Sequence, residues 1–225
     1  MFIPLHDDSA LQVIRFHYMS VLIAAVNVAV LVYSGHIAAS EAVYYSFGAI
    51  PALLTDQADM DPALILVPEP VTLLTYMFMH GGWLHLASNM VFLWVFADNI
   101  EDAYGHFGFL AFYLLCGVSA AAAHIMIYPD SQVPLVGASG AVAGVLGSYL
   151  VLFPKARVWI LLFMRLPIRI SAYWALIGWL GFQFFAVVLA QDEIQVAWWA
   201  HIGGFASGFA VTWLLRAPLR RRLTA

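Results

Sequence analysis

Apolar stretches close to the length needed to cross a lipid hydrocarbon core recur from residue 16 to residue 215, and they constrain the fold more than any other feature. A core of ~30 Å takes about 20 helical residues. Six stretches approach that length: 16–35, 83–97, 106–127, 139–153, 170–190 and 194–215. Of the 225 residues, 64% are hydrophobic and 10% charged, far from the balance of an ordinary globular domain. The chain therefore reads as an all-α, polytopic membrane protein. Residues 1–15 form an N-terminal segment, 16–215 a six-helix membrane region with a long external connection at about 36–80, and 216–225 a basic tail. His6, Asp7 and Asp8 stand where a removable signal peptide would carry basic residues, so the first span is expected to be retained. The single cysteine, Cys116, excludes an intramolecular disulfide.

Charge fixes an orientation. All nine basic residues fall in three places: Arg15, then Lys155, Arg157, Arg165 and Arg169, then Arg216, Arg220, Arg221 and Arg222. With six spans these places share one side, and because Lys and Arg stay in the cytoplasm both termini are expected there. The opposite connections carry no Lys or Arg and hold Glu41, Asp56, Asp59, Asp61, Glu69, Asp130, Asp192 and Glu193. Five or seven spans would split the basic groups across the membrane. The stretch "EAVYYSFGAIPALL" in the first external connection is apolar but interrupted by Gly48 and Pro51, and is expected to lie on or partly in the outer leaflet. The turn "DNIEDAYGH" is acidic although it belongs to the cytoplasmic side. A compact chain without a transit peptide or added soluble domain points to a bacterial inner membrane.

The fourth span is too short. Ser139 to Phe153, before Pro154, makes about 22 Å of helix. If its cytoplasmic end sits at Pro154 and Lys155, the segment "QVPLVGA" ahead of it must dip inward as a re-entrant loop. Non-helical backbone at that depth is tolerated only in protein or against a wet cavity, so Ser139 is expected to border one. Spans two, four and six all begin on the outer side with polar groups in their first turns. In "HGGWLHLASNM" His85 and Asn89 are four apart and share a helical face. In "AWWAHIGGFASG" His201 sits about two turns into the sixth span. Gly140 and Gly144, and likewise Gly204 and Gly208, have the small-xxx-small spacing that permits tight helix packing in lipid. Opposed glycine faces would bring His201 near Ser139, within the ~2.6–3.2 Å a base needs to take a serine proton.

Interhelical bonding worth about 0.6 kcal/mol would account for Ser139 or His201 taken alone. Four such groups at one depth beside a wet loop fit chemistry better, since packing needs no shared depth. Trp198 and Trp199 fit an interfacial belt, and Met77 and Met79 fit core or lipid contact. Metal chemistry fits poorly: there is no H-E-x-x-H and no acidic residue at ligand spacing beside the histidines. No span holds a central aspartate for an aspartyl pair, and no two-fold symmetry of broken helices suggests a transporter.

"HGGWLHLASNM", "GASGAVAG" and "AHIGGFASG", in that order and spacing over roughly residues 71–215, resemble the rhomboid intramembrane serine proteases. The resemblance implies a six-transmembrane-helix bundle and a Ser–His dyad without an acid, with Ser139 as nucleophile and His201 as base. It also implies that His85 and Asn89 hold the oxyanion together with the backbone N–H of Ser139. No metal and no cofactor are expected; the partners implied are transmembrane protein substrates and lipid, not nucleic acid. Two positions depart from the pattern. Residues 36–70 contain neither Trp nor Arg, so the Trp–Arg motif of many members is missing from the external loop. Ala143 stands where some bacterial members carry a tyrosine against the histidine, so another residue must position the ring or it is held more loosely; with no carboxylate partner, His201 is expected to be oriented by packing. An inactive, client-binding relative is the competing reading, and a small transporter a further one. Inactive relatives typically lose the serine or the histidine, and this chain keeps both.

Overall fold

The structure is a computed structural model that describes residues 2–37, 42–189 and 196–224. Long helices stand at all six apolar stretches: α1 (Tyr18–Ile37), α5 (Trp83–Tyr104), α6 (His106–Ile127), α7 (Ser139–Leu152), α8 (Ala172–Leu189) and α9 (Trp198–Leu223). The long connection after α1 folds into short helices α2 (Ala42–Phe47), α3 (Pro51–Leu54) and α4 (Glu69–Thr75). By length and composition, α6 and α8 are each able to cross a membrane alone, and a third span is reached by Pro62–Phe78 with Trp83–Tyr104 across a bend of 79°. Glu41, Asp192 and Glu193 lie outside the described residues.

The centre of the bundle is the short helix α7. It has 14 residues, about 21 Å at the helical rise, and every residue from Gly140 to Val151 is buried. It ends at Leu152 because Phe153 precedes Pro154, whose ring disfavours helical backbone in the residue before it. α9 packs along it most extensively, followed by α6, α5 and α8. α7 therefore touches protein on all sides, and its apolar residues serve the core, not the lipid.

A three-stranded antiparallel sheet departs from the purely helical reading. β1 (Phe2–Asp7), β2 (Arg157–Leu162) and β3 (Leu166–Ser171) lie in the order β1-β2-β3, with a bulge between Pro4 and His6. Hydropathy treats these segments as plain connections. Their two-residue alternation is what matters: Val158 and Ile160 turn into the core while Arg157 and Trp159 face out. The Asp7 carboxylate accepts a hydrogen bond from the Tyr149 hydroxyl of α7, and Asp8 pairs with Arg169 of β3.

The acidic turn has a structural explanation. Glu101 and Asp102, 0% and 1% exposed, accept hydrogen bonds from the chain entering α1. Glu101 takes the backbone N–H groups of Met19 (2.9 Å) and Ser20 (2.7 Å), the Ser20 hydroxyl (2.6 Å) and His106 Nδ1 (2.5 Å). Asp102 takes the N–H groups of Gln12, Val13 and Ile14 at 2.6–2.9 Å. The first N–H groups of a helix lack intrahelical partners and favour negative charge, so Glu101 caps α1 from a neighbouring helix. The chain turns from α5 into α6 at Gly105, whose φ of +73° is left-handed and suits glycine.

The three groups of basic residues gather at this same end. Arg15 follows the loop held by Asp102, Arg157 and Arg169 lie in the sheet beside Asp8, and Arg222 Nε donates to the Asp102 carbonyl (3.2 Å). α9 runs unbroken through Arg216–Arg222, so the basic tail is a helix, and Arg220 donates to the Val151 carbonyl at the end of α7 (3.1 Å).

Asp102→Ala leaves three N–H groups without their acceptor and is expected to cost about 3 kcal/mol or more. Cys116, the single thiol and buried, reports it: in detergent, a thiol-reactive dye should label the variant at a clearly lower temperature, and an unchanged melting curve would contradict the role of Asp102 in holding the loop before α1.

Candidate active site

The close approach of α7 and α9 positions the site. A Cβ on Gly204 would fall on the Gly140 carbonyl oxygen, and one on Gly208 on the Gly144 carbonyl oxygen. The α9 glycines thus seat the α7 backbone. The missing side chains of Gly140 and Gly144 face another way, toward Ala120 and Cys116 of α6, so α7 is clamped between two helices. Ser139 adjoins Gly140 and His201 lies one turn before Gly204. That register sets His201 Nε2 at 2.8 Å from Ser139 Oγ, inside hydrogen-bond range.

The other ring nitrogen is also engaged. His201 Nδ1 is 2.8 Å from Gln183 Oε1 on α8, and Gln183 Nε2 donates to the Trp179 carbonyl one turn back (3.2 Å). The indoles of Trp179 and Trp198 lie against the imidazole, each with centroids at 6.0 Å, tilted at 38° and edge-on at 88°. The position of Ala143 contributes no ring. Gln183 escapes a motif-based reading of the sequence, although it is the one amide in an otherwise apolar span.

His85 and Asn89, one turn apart at the start of α5, line a cavity of about 550 Å³ together with Ser139 and His201. Gly137, with φ +119°, leads into α7 in a left-handed conformation, and a side chain there would strike the His85 ring. Asn89 Nδ2 is 3.0 Å from Nε2 of His80, a buried residue that the sequence reading does not single out. The Ala138 N–H also points at His80 Nε2, at 3.5 Å. His80 opens the same motif as His85, but it joins the group only because the loop before α5 folds back.

The segment ahead of Ser139 is stitched to the connection between α1 and α5. Ala49 and Leu135 exchange backbone hydrogen bonds at 3.0 and 2.8 Å. Thr55 Oγ1 donates to the Pro129 carbonyl (2.7 Å) and the Gly137 N–H to the Tyr76 carbonyl (2.9 Å), while Thr75 Oγ1 donates to the Phe47 carbonyl (2.7 Å) within the connection itself. These backbone groups of the non-helical segment are thereby satisfied by protein.

Residues 68–218, two thirds of the chain, match the family described as Rhomboid domain. The chain is 34% identical over 156 residues to Rhomboid protease GluP of Bacillus subtilis, covering 69% of this chain and 28% of that one. It is 26% identical over 161 residues to the mitochondrial Rhomboid protein 1 of Saccharomyces cerevisiae, covering 69% and 45%. It is 30% identical over 169 residues to the mitochondrial presenilin-associated rhomboid-like protein of Bos taurus, covering 71% and 43%. The chain thus spans less than half the length of each of these relatives. It belongs to the rhomboid family, membrane-integral proteins that include intramembrane proteases.

Gly204→Ala is expected to force α9 off α7, costing about 1–3 kcal/mol and lowering labelling by a serine-directed fluorophosphonate. Gly178→Ala on α8, where a Cβ meets nothing within 4 Å, is the control and should leave both unchanged or slightly raise stability. Equal behaviour of the two variants would contradict a packing role for Gly204.

Proposed function

We propose that this chain is a serine-type intramembrane endopeptidase that cleaves transmembrane segments of other membrane proteins. The observation that carries the reading is the 2.8 Å contact between Ser139 Oγ and His201 Nε2 at the wall of a cavity that also holds His85 and Asn89. His201 takes the Ser139 proton as Oγ attacks the scissile carbonyl. It returns that proton to the leaving amine, and water then releases the acyl-enzyme by the same route. His85, Asn89 and the backbone N–H of Ser139 stabilise the oxyanion. The unpaired N–H groups at the start of a helix favour negative charge there. A peptide bond must be extended to be cut, so substrates with helix-breaking Gly or Pro and small residues near the cut are favoured.

The same reading has six membrane spans, the basic end of the bundle in the cytoplasm and the dyad opening toward the outer side. The gathering of all three basic groups at one end supports that orientation. A bacterial cell membrane is the proposed location.

The test is cleavage of a single-span substrate by detergent-purified protein. Ser139→Ala and His201→Ala should each abolish turnover while retaining the wild-type melting temperature, and undiminished cleavage by either would refute the dyad. Asn89→Ala should lower kcat by roughly a hundredfold with little change in KM; a rise in KM at constant kcat would mean that Asn89 binds substrate and not the oxyanion.

A further inference from the structure

We propose that Gln183 is a positioning residue for this site: its side-chain oxygen holds the proton of His201 on Nδ1 and so leaves Nε2 as the free base facing Ser139. The inference rests on the serine–histidine reading above and adds a third member to it.

The geometry assigns each atom. An imidazole nitrogen that accepts the serine proton must carry a lone pair, so the other nitrogen must carry hydrogen. His201 Nδ1 faces Gln183 Oε1 at 2.8 Å. The orientation of the amide follows from its other end, since Nε2 donates to the Trp179 carbonyl at 3.2 Å and an inverted amide would set oxygen against oxygen there. The oxygen therefore points at the ring and can only accept. Nδ1 donates, and Nε2 is left unprotonated opposite Ser139 Oγ at 2.8 Å.

Burial explains the residue type. Gln183, on α8, is 2% exposed and faces the start of α9 through His201. An ionised carboxylate in that place would be costly to desolvate, so a glutamate there would stay a neutral acid whose carbonyl oxygen still accepts from Nδ1; the amide supplies the same oriented acceptor with no proton to lose. The other titratable side chains around the cavity, His85 on α5 and His124 on α6, offer no carboxylate in its stead. The two indoles restrict the ring plane but do not distinguish its nitrogens, so choosing between them falls to Gln183.

The experiment measures kcat and KM for single-span substrate cleavage in the full-length protein with three substitutions. Gln183→Met keeps length and bulk but has no oxygen; Gln183→Asn keeps the amide but withdraws it by one methylene; Gln183→Glu keeps an oxygen at full reach. Expected are at least a tenfold fall in kcat for Met and Asn, KM within twofold of wild type, and kcat within threefold of wild type for Glu, magnitudes on the order of a misplaced general base. Wild-type kcat in Gln183→Met, a loss carried by KM, or Gln183→Glu falling as far as Gln183→Met would each overturn the proposal. Cys116 labelling checks folding; if Met melts early, Asn and Glu decide by the same criteria. Ser139→Ala in parallel separates the two levels. Residual cleavage there refutes the dyad itself, whereas an inactive Ser139→Ala beside an active Gln183→Met refutes only the role of Gln183.

Discussion

Everything at the site depends on how closely the backbones of α7 and α9 approach. In lipid no hydrophobic force draws one apolar helix to another, and contact relies on shape and dispersion. Gly204 and Gly208 let the α7 carbonyls of Gly140 and Gly144 occupy space where side chains would stand. With the helices so near, two short side chains just above the contact meet without either having to stretch. A larger residue at Gly204 would collide with the Gly140 carbonyl and press apart the two helices that carry Ser139 and His201. Because α7 is also enclosed by α5, α6 and α8, the serine sits on a helix buried within the bundle.

The two ends of the bundle solve different problems. At the basic end, buried carboxylates meet the unpaired N–H groups of the chain entering α1, and a small sheet joins the N-terminus to the hairpin after α7. At the other end the segment before Ser139 runs without helical hydrogen bonds, so its backbone is satisfied by Ala49, Tyr76 and the loop around them. That arrangement leaves a cavity beside the serine, and the proposed reaction has the peptide and the water meet there. Hydrolysis within a membrane requires such a place, since the surrounding lipid supplies no water.

Much of this is readable in the chain. The six helices follow from apolar length, and the shortness of α7 follows from Pro154. The placing of Ser139 and His201 together required the glycine spacings, because hydropathy alone says nothing about which helices touch. Other features were hidden for physical reasons. The alternation of Val158 and Ile160 is too short to outweigh a hydropathy window, so the sheet went unseen. Glu101 and Asp102 looked like an exception to a charge rule; in fact Glu101 caps a helix more than eighty residues earlier in the chain and Asp102 holds the loop that leads into it. His80 and Gln183 reach the site through a folded loop and a neighbouring helix, and no spacing in the sequence announces either contact.

The central claim is that His201 makes Ser139 nucleophilic. It is tested most directly by treating the purified protein with diisopropyl fluorophosphate and locating the adduct by peptide mass spectrometry. The account requires a single diisopropylphosphoryl adduct on Ser139, formed with loss of fluoride, in the wild type and none in His201→Ala at the same exposure. An adduct on any other serine, or equal modification of Ser139 in His201→Ala, would contradict it.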